Sequence, residues 1–456
     1  MMDRPARNRA LVLTSVHAAG LGLAILHPLA PLLLVAGVAA VGILLAYQHL
    51  ILASLANLGV VKAFLISTVP ALTLFDPTLI LAGLALLVIL WRLTDTTGRA
   101  ALNRHGHLLM AFVAWLTWML LAVVHAPDMP MALQKAGRFI LIVPLLFLGP
   151  LVLIRSARDS RIVLYLFVAY AVMAAGLLFL KLWGLVSGTI TDPLTHRLSI
   201  LGANPISIAR LLVVAASMIL AAWARQKTGG WRWLPLLGLL LTAALLTGSR
   251  GPILSLLAAW VLIGLLHKGR PRRIFFGGLV GIGLVISLFL GLAPAELTKR
   301  YLAFSAAELK VDQQGLQISS SVSSRYRLYE IAYDEWTSKP SKFFFGSGTA
   351  GYAALFPWRD FRYPHNLFLE LLVEFGLLGA LVFCWQVVLI IPKLFTRATR
   401  RLSTEAFMWL AGTFTFFFST MFSGDLNDNR LLWFLVAAYL ASWSLSPASK
   451  LSPRRI

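Results

Sequence analysis

Apolar runs of about twenty residues, the length of a helix that crosses a bilayer, follow one another along nearly the whole chain. Lipid offers backbone N–H and C=O groups no partners, so a segment in the hydrocarbon must bond internally or close into a barrel. These runs are too long and too continuous for barrel strands, which leaves helices. Composition agrees: 59% of the 456 residues are hydrophobic and 13% are charged, against about 25% charged in a soluble domain. The expected fold is an all-α polytopic membrane protein.

Hydropathy allows up to fourteen spans. They fall near residues 10–26, 30–47, 50–75, 77–91, 107–125, 136–154, 162–184, 205–224, 231–246, 251–267, 274–292, 366–391, 406–422 and 431–446. Several are short, so the expectation is 12–14. The basic N-terminus "MMDRPARNR" precedes what reads as a first span rather than a cleavable leader. The single cysteine, Cys384, excludes a disulfide framework and a cysteine-rich metal site.

The net charge of +22 would suggest nucleic acid in a soluble protein. Its distribution argues against that. Lysine and arginine gather at every second gap, in "RLTDTTGRAALNRHGH", "RSARDSR", "RQKTGGWR", "HKGRPRR" and "PKLFTRATRR"; with the two termini these hold 23 of the 40 basic residues. This is the positive-inside pattern. It predicts cytoplasmic termini, contact with anionic membrane lipids and no nucleic-acid partner. Residues 126–135, 185–204, 247–251, 293–365 and 423–430 then lie outside.

The outer segment 293–365 is too long for a plain connection and carries nine basic and seven acidic residues. It divides the chain into N-terminal spans (1–292), a large outer loop (293–365) and C-terminal spans (366–456). Within the loop, "SSRYRLYEIAYDEWTSKP" reads as an amphipathic helix capped by Ser323 or Ser324, with Leu328, Tyr329, Ala332 and Trp336 as one stripe and Pro340 after its end. "FFFGSGTAGY" follows as a glycine-rich turn, a weak phosphate-nest signal.

Arginines in the outer gaps break the charge rule. Arg210 lies ~8 Å into a helix that starts at Pro205, at 1.5 Å per residue. Arg250 sits in the tight turn "TGSRGP". Arg138 lies near the start of a span, Arg430 closes "SGDLNDNR", and Arg325 and Arg327 open the amphipathic helix. Each alone is read as a snorkelling side chain or half of an ion pair. Converging on one outer cavity, they would form an anion clamp, since guanidinium forks bind phosphate bidentately and keep their charge.

His365 enters the membrane boundary in "RYPHNLFLELLVEFGLLG". If Pro364 occupies the first turn of the helix, 100° per residue aligns His365 with Gly376 to within ~20° and with Gly379 to within ~40°. Glu370 and Glu374 then stack on the opposite face, as a structural pair with arginine. A neutral imidazole near pH 7 suits a general base; a structural or interfacial histidine is the alternative. The outer side has no histidine pair at ligand spacing, so no metal is expected. Asp425 and Asp428 read as helix caps more simply than as cation ligands. No nucleophile elbow, Walker motif or dinucleotide fingerprint stands in a usable context.

The His-Asn-x9-Gly-x-x-Gly spacing of "HNLFLELLVEFGLLG" follows a large outer loop late in the chain. "GANPISIAR", "TGSRGP" and "SVSSRYRLYEIA" precede it in order. Together they resemble the bacterial O-antigen ligase family, within the wider O-antigen ligase/polymerase superfamily, from about Gly202 onward. The resemblance implies a membrane-embedded (GT-C-like) glycosyltransferase of about twelve spans in the bacterial inner membrane. Its active site would face the periplasm and need neither cofactor nor metal. The donor would be an undecaprenyl pyrophosphate-linked O-antigen and the acceptor lipid A–core. The family's essential histidine matches His365, and its important outer arginines best match Arg210 and Arg250, with Arg325 further. These three, His365, Arg210 and Arg250, are the catalytic candidates; Arg325, Asn366, Arg138 and Arg430 are the substrate-binding ones.

Those residue types suit one another. Arginines would steady the leaving pyrophosphate in place of a divalent ion, and the histidine would take the acceptor's proton. Three rivals stay open: an O-antigen polymerase, a protein O-oligosaccharyltransferase, and a transporter or flippase for an anionic lipid. The transporter reading makes less of the late outer loop and the boundary histidine, and the sequence lacks the paired halves common in transporters.

Overall fold

The structure is a computed structural model describing residues 46–68, 76–183, 203–225, 230–266, 322–356, 363–395 and 402–446, with isolated positions at 42, 198 and between 278 and 291. Every regular element among the described residues is a helix. In chain order they are α1 (Gln48–Ala56), α2 (Leu58–Thr68), α3 (Pro77–Thr94), α4 (Thr96–Asn103), α5 (Gly106–Val124), α6 (Met129–Leu153), α7 (Ala157–Leu182), α8 (Pro205–Arg225), α9 (Leu234–Leu246), α10 (Arg250–Leu266), α11 (Val322–Thr337), α12 (Pro340–Phe345), α13 (Gly351–Ala354), α14 (Leu367–Phe395), α15 (Thr404–Thr420) and α16 (Leu431–Leu445).

Side chains at the boundaries say why the helices start where they do. Asp128 accepts the Met131 amide at 2.9 Å ahead of α6. Ser156 and Asp159 form a reciprocal capping box on α7, and Ser403 caps α15. The amphipathic helix α11 begins at Val322, so Ser323 and Ser324 lie inside its first turn and are not its caps. Its expected stripe is real: Leu328 and Ala332 are buried against Tyr352 and Val373, with Trp336 packed alongside. The described part of the large loop is therefore docked on α14.

Six helices (α3, α5, α6, α7, α8 and α14) are long and apolar enough to cross a bilayer, and the α1–α2 pair makes a seventh if it is one span. The chain is thus an all-α multi-pass membrane protein, with fewer full-length spans among the described residues than the twelve to fourteen expected. The expected spans at 10–26 and 30–47 lie outside the described residues, and that at 274–292 mostly does. The expected spans at 231–246, 251–267, 406–422 and 431–446 are each met by a shorter apolar helix. The helices α9, α10, α15 and α16 have 13, 17, 17 and 15 residues, short of the ~20 that cross the hydrocarbon upright. The expected span at 50–75 is two helices bent by 94°. At the bend, Asn57 bonds the Ala53 carbonyl through its side chain at 2.8 Å, and its own carbonyl takes the amides that start α2.

The core lies where α8, α15 and α16 meet, and these helices are buried along nearly their whole lengths. Polar side chains tie it together. Ser217 takes hydrogen bonds from Trp260 at 3.0 Å and Thr415 at 2.8 Å. Ser160 takes one from Trp409 at 3.1 Å and pairs with Ser442 at 2.7 Å. By contrast, α3, α5 and α14 leave Leu86, Leu87, Met110, Leu121, Leu381 and Val388 exposed, as a lipid-facing surface requires.

The long helix α14 breaks at Gly376, where φ is 65° and ψ −174°, a region essentially closed to any residue but glycine. The break frees carbonyls, and each finds a donor. Ser347 N–H bonds the Val373 carbonyl at 2.7 Å and Gly348 N–H the Glu374 carbonyl at 3.0 Å. Trp118 Nε1 bonds the Phe375 carbonyl at 3.2 Å. The turn "GSGTAG" is therefore a splint for the broken helix. Its amides at Ser347, Gly348, Thr349, Ala350 and Gly351 all bond protein acceptors, so the phosphate-nest reading fails. Gly376→Ala is expected to destabilise the fold by about 1–3 kcal/mol or more, because a Cβ there would overlap the Phe344 carbonyl. A fall in detergent-solubilised melting temperature is the measure; an unchanged melt would refute it.

Candidate active site

His365 has φ 57°, the left-handed region that few non-glycine residues enter. The helix α14 begins two residues later, and Asn366 is its cap: Oδ1 accepts the amides of Phe368 at 2.9 Å and Leu369 at 3.2 Å. Pro364 and His365 thus stand outside the helix. The expected alignment of His365 with Gly376 and Gly379 fails, since it assumed one unbroken helix from Pro364 to Gly379.

The turn after α15 gathers the groups around His365. Ser423 Oγ lies 3.4 Å from His365 Nδ1 and is also close to the Tyr363 phenol. The Tyr363 ring stands edge-on to the imidazole at 4.4 Å. Burial first, then the nearby Asp428 and Asp425 carboxylates, pushes the Tyr363 phenol up to about 12, so it stays protonated. Asn366 Nδ2 reaches the Met421 carbonyl at 3.4 Å, and its side chain is close to Tyr329 of α11.

Arg210 holds this turn from below. Its Nε donates to Ser419 Oγ at 3.0 Å, and its Nη2 to the Ser419 carbonyl at 3.0 Å and to the Ser423 carbonyl. The side chain is 3% exposed. Gly424, with φ 80°, leaves the space that the guanidinium occupies. Arg210 is therefore a brace for the turn that contacts His365, with Nη1 uncommitted among the described residues. Arg325 lies within electrostatic reach of both Arg210 and Tyr363. Burial holds the Arg325 guanidinium below its ordinary value, with the Tyr329 and Tyr363 phenols opposing. Arg250 opens α10 at the same end, and Gly251 beside it packs on Phe422 of the turn.

Arg430 and Arg138 form a second group. Arg430 lines a polar pocket of about 250 Å³ with Arg210, Asp428, Asn204, Ser207 and the bend residue Asn57, and Arg138 lies within its electrostatic reach. An apolar groove of about 260 Å³ begins at Leu367, next to Asn366, and follows α14 past Phe383 and Val387 to Leu394. The carboxylate of Asp425 accepts the Asp428 amide at 2.7 Å within the turn, and the helix that follows, α16, has no side-chain cap, so the expected capping role is not what Asp425 performs. Among the described residues, no group of three or more His, Cys, Asp or Glu side chains could hold a metal.

Glu370 and Glu374 pair with Lys135, not with an arginine. Lys135 Nζ reaches Glu370 Oε1 at 2.6 Å and Glu374 Oε1 and Oε2 at 2.7 and 2.8 Å. Exposure is 9% for the lysine and 0% for both glutamates. Glu370 Oε1 also takes the Leu426 amide at 3.1 Å, Glu374 Oε2 the Ala350 amide at 3.0 Å, and Asn427 bonds the Lys135 carbonyl at 3.2 Å. This hub locks α6, α14, the splint and the 423–430 turn together. Sequence reasoning missed Lys135, Tyr363 and Ser423. A lysine less than two turns into an apolar helix was the available signal for the first.

Comparison with known proteins adds one finding. No curated protein matches the chain. Residues 235–384 match the family model described as O-antigen ligase. The match runs from α9 into α14 and contains Arg250, Arg325, His365, Asn366 and both glutamates; Arg210, Arg138, Arg430 and the 419–424 turn lie outside it. Over this segment, about a third of the chain, the sequence is similar to the O-antigen ligase family, a likeness that supports a membrane enzyme of the wider O-antigen ligase/polymerase superfamily.

Proposed function

We propose that the chain is an O-antigen ligase that moves a glycan from undecaprenyl pyrophosphate to lipid A–core, by a single inverting displacement without a metal ion. The observation that carries this reading is the convergence of His365, Tyr363, Ser423, Arg210 and Arg325 at one end of the bundle. That end is the less basic one, which the positive-inside rule assigns to the periplasm of an inner-membrane protein with cytoplasmic termini.

With Nδ1–H donating to Ser423 Oγ, the imidazole carries its lone pair on Nε2. The acceptor hydroxyl attacks the anomeric carbon and gives its proton to Nε2. The bond from that carbon to the pyrophosphate oxygen breaks, and the electron pair leaves on undecaprenyl pyrophosphate. Arg250, Arg325 and Arg210 through Nη1 supply positive charge where that pair accumulates. Arg430 and Arg138 would contact the diphosphate or the glycan, and Asn366 fixes the start of α14 beneath the base. The apolar groove beside Leu367 suits a polyprenyl chain. In this reading α11, within the outer segment 293–365 that separates the portions 1–292 and 366–456, covers the site.

The test is transfer by the purified chain from undecaprenyl pyrophosphate–glycan to lipid A–core, to a second lipid-linked glycan or to a peptide in separate reactions, each with and without chelator. Transfer to lipid A–core alone, unchanged by chelation, is expected. A second lipid-linked glycan as the sole acceptor would make it a polymerase, and a peptide an O-oligosaccharyltransferase. Loss of activity on chelation would remove the arginine-for-metal mechanism, and donor movement without covalent transfer would mean a transporter.

A further inference from the structure

A second polar cavity lies at the opposite, strongly basic end of the bundle. It has a volume of about 210 Å³ and opens between the α4–α5 junction and the ends of α6 and α16. Arg104, His105, Thr97, Arg155 and Ser444 bring polar groups to it, and Leu151, Ile154, Ala441 and Leu445 give it an apolar wall.

Its charges are unbalanced. Arg155 is anchored on Thr97 Oγ1 at 2.8 Å and on Asp95 Oδ2 at 3.3 Å, and Asp95 is shared with Arg92. Arg104 makes no ion pair among the described residues and is exposed at the rim. Lys393, at the end of α14, lies within electrostatic reach of His105. Two arginines thus line the cavity, and the carboxylate that Arg155 meets, Asp95, is shared with Arg92. His105 is 6% exposed, yet its Nδ1 is buried without a hydrogen-bond partner among the described residues. Burial, with Lys393 and Arg104 adding to it, pushes this imidazole down to about 4, so it is neutral at pH 7.

We infer that this cavity binds the phosphodiester headgroup of an anionic phospholipid. Arg104 and Arg155 would flank the phosphate, Ser444 would border it, and an acyl chain would lie along Leu151 and Leu445. Arginine suits phosphate through its fork, and basic pockets between helices at this face of a membrane protein are where such headgroups bind. A free phosphate anion offers the same oxygens, but not an acyl chain for the apolar wall.

Native mass spectrometry of the delipidated full-length chain, re-exposed to phosphatidylglycerol, phosphatidylethanolamine or inorganic phosphate, tests this. The wild-type chain should retain one phosphatidylglycerol under conditions that strip phosphatidylethanolamine. Arg104→Glu should cut that retention about tenfold, the equivalent of one lost charged contact. Ser444→Phe should do the same by filling the cavity without changing its charge, which guards against a folding artefact in either variant. Equal retention by wild type and both variants would overturn the site. Phosphate binding that Arg104→Glu abolishes, without lipid retention, would overturn the lipid assignment.

Discussion

His365→Ala is expected to lower glycan transfer by about 10²–10⁴-fold, the usual contribution of a positioned general base, in a chain that still folds. The native ring sits at φ 57°, so alanine removes the imidazole and also raises the cost of the left-handed backbone. His365→Asn separates the two, because asparagine tolerates that conformation far better than most residues and carries no base. If both variants lose transfer to the same extent while their melting temperatures match wild type, the imidazole is what matters. Recovery of activity in His365→Asn would reduce the histidine to a backbone role and remove it from the chemistry. A pH–rate profile adds a further check: the fall in transfer toward acid pH that protonation of a general base produces in wild type should be absent from the residual activity of either variant.

Lys135→Met is expected to destabilise the protein by about 3–5 kcal/mol, the cost of stranding one side of a buried ion pair. Two glutamates at 0% exposure share this lysine, and Glu370 Oε2 has no hydrogen-bond partner even with the lysine present. The measure is thermal unfolding in detergent alongside membrane yield. The triple change Lys135→Met, Glu370→Gln, Glu374→Gln should recover most of the loss, because a neutral amide pair needs no counter-charge. A single variant as stable as wild type would show that the hub is not an ionised network. Because the 423–430 turn rests on the hub through Leu426 and Asn427, Lys135→Met should also lower transfer, by displacing the turn that contacts His365.

Much of this architecture is legible in the chain. Ten of the expected spans, from 77–91 to 431–446, coincide with helices to within a few residues, except that α6 starts seven residues earlier, because apolar length and capping residues are local properties. The stripe on α11 is local too. What escaped were the breaks. Asn57 and Gly376 interrupt apolar runs that hydropathy treats as continuous; the first is tolerated through bonds to its own neighbours, the second only through partners from segments distant in sequence. The candidate site divides in the same way. His365 and Asn366 stand out through their unusual place at a boundary, and Arg210 through its depth. Ser423 and Tyr363 are ordinary residues in ordinary loops, and nothing in their own neighbourhoods marks them. The glutamate partner was misassigned because one chain shows which charges lie within a span but not which of them meet.

The Lys135–Glu370 contact spans 235 positions of sequence. At roughly 5–20 residues per second of synthesis, the ammonium emerges some tens of seconds before either of its carboxylates exists. A nascent chain cannot bury it alone over that interval, so α6 must wait near the headgroups until α14 arrives. Final seating of the early helices is thereby deferred to the last quarter of translation, and a ribosome-stalled or truncated product should be recognised and degraded rather than accumulate half-built in the bilayer.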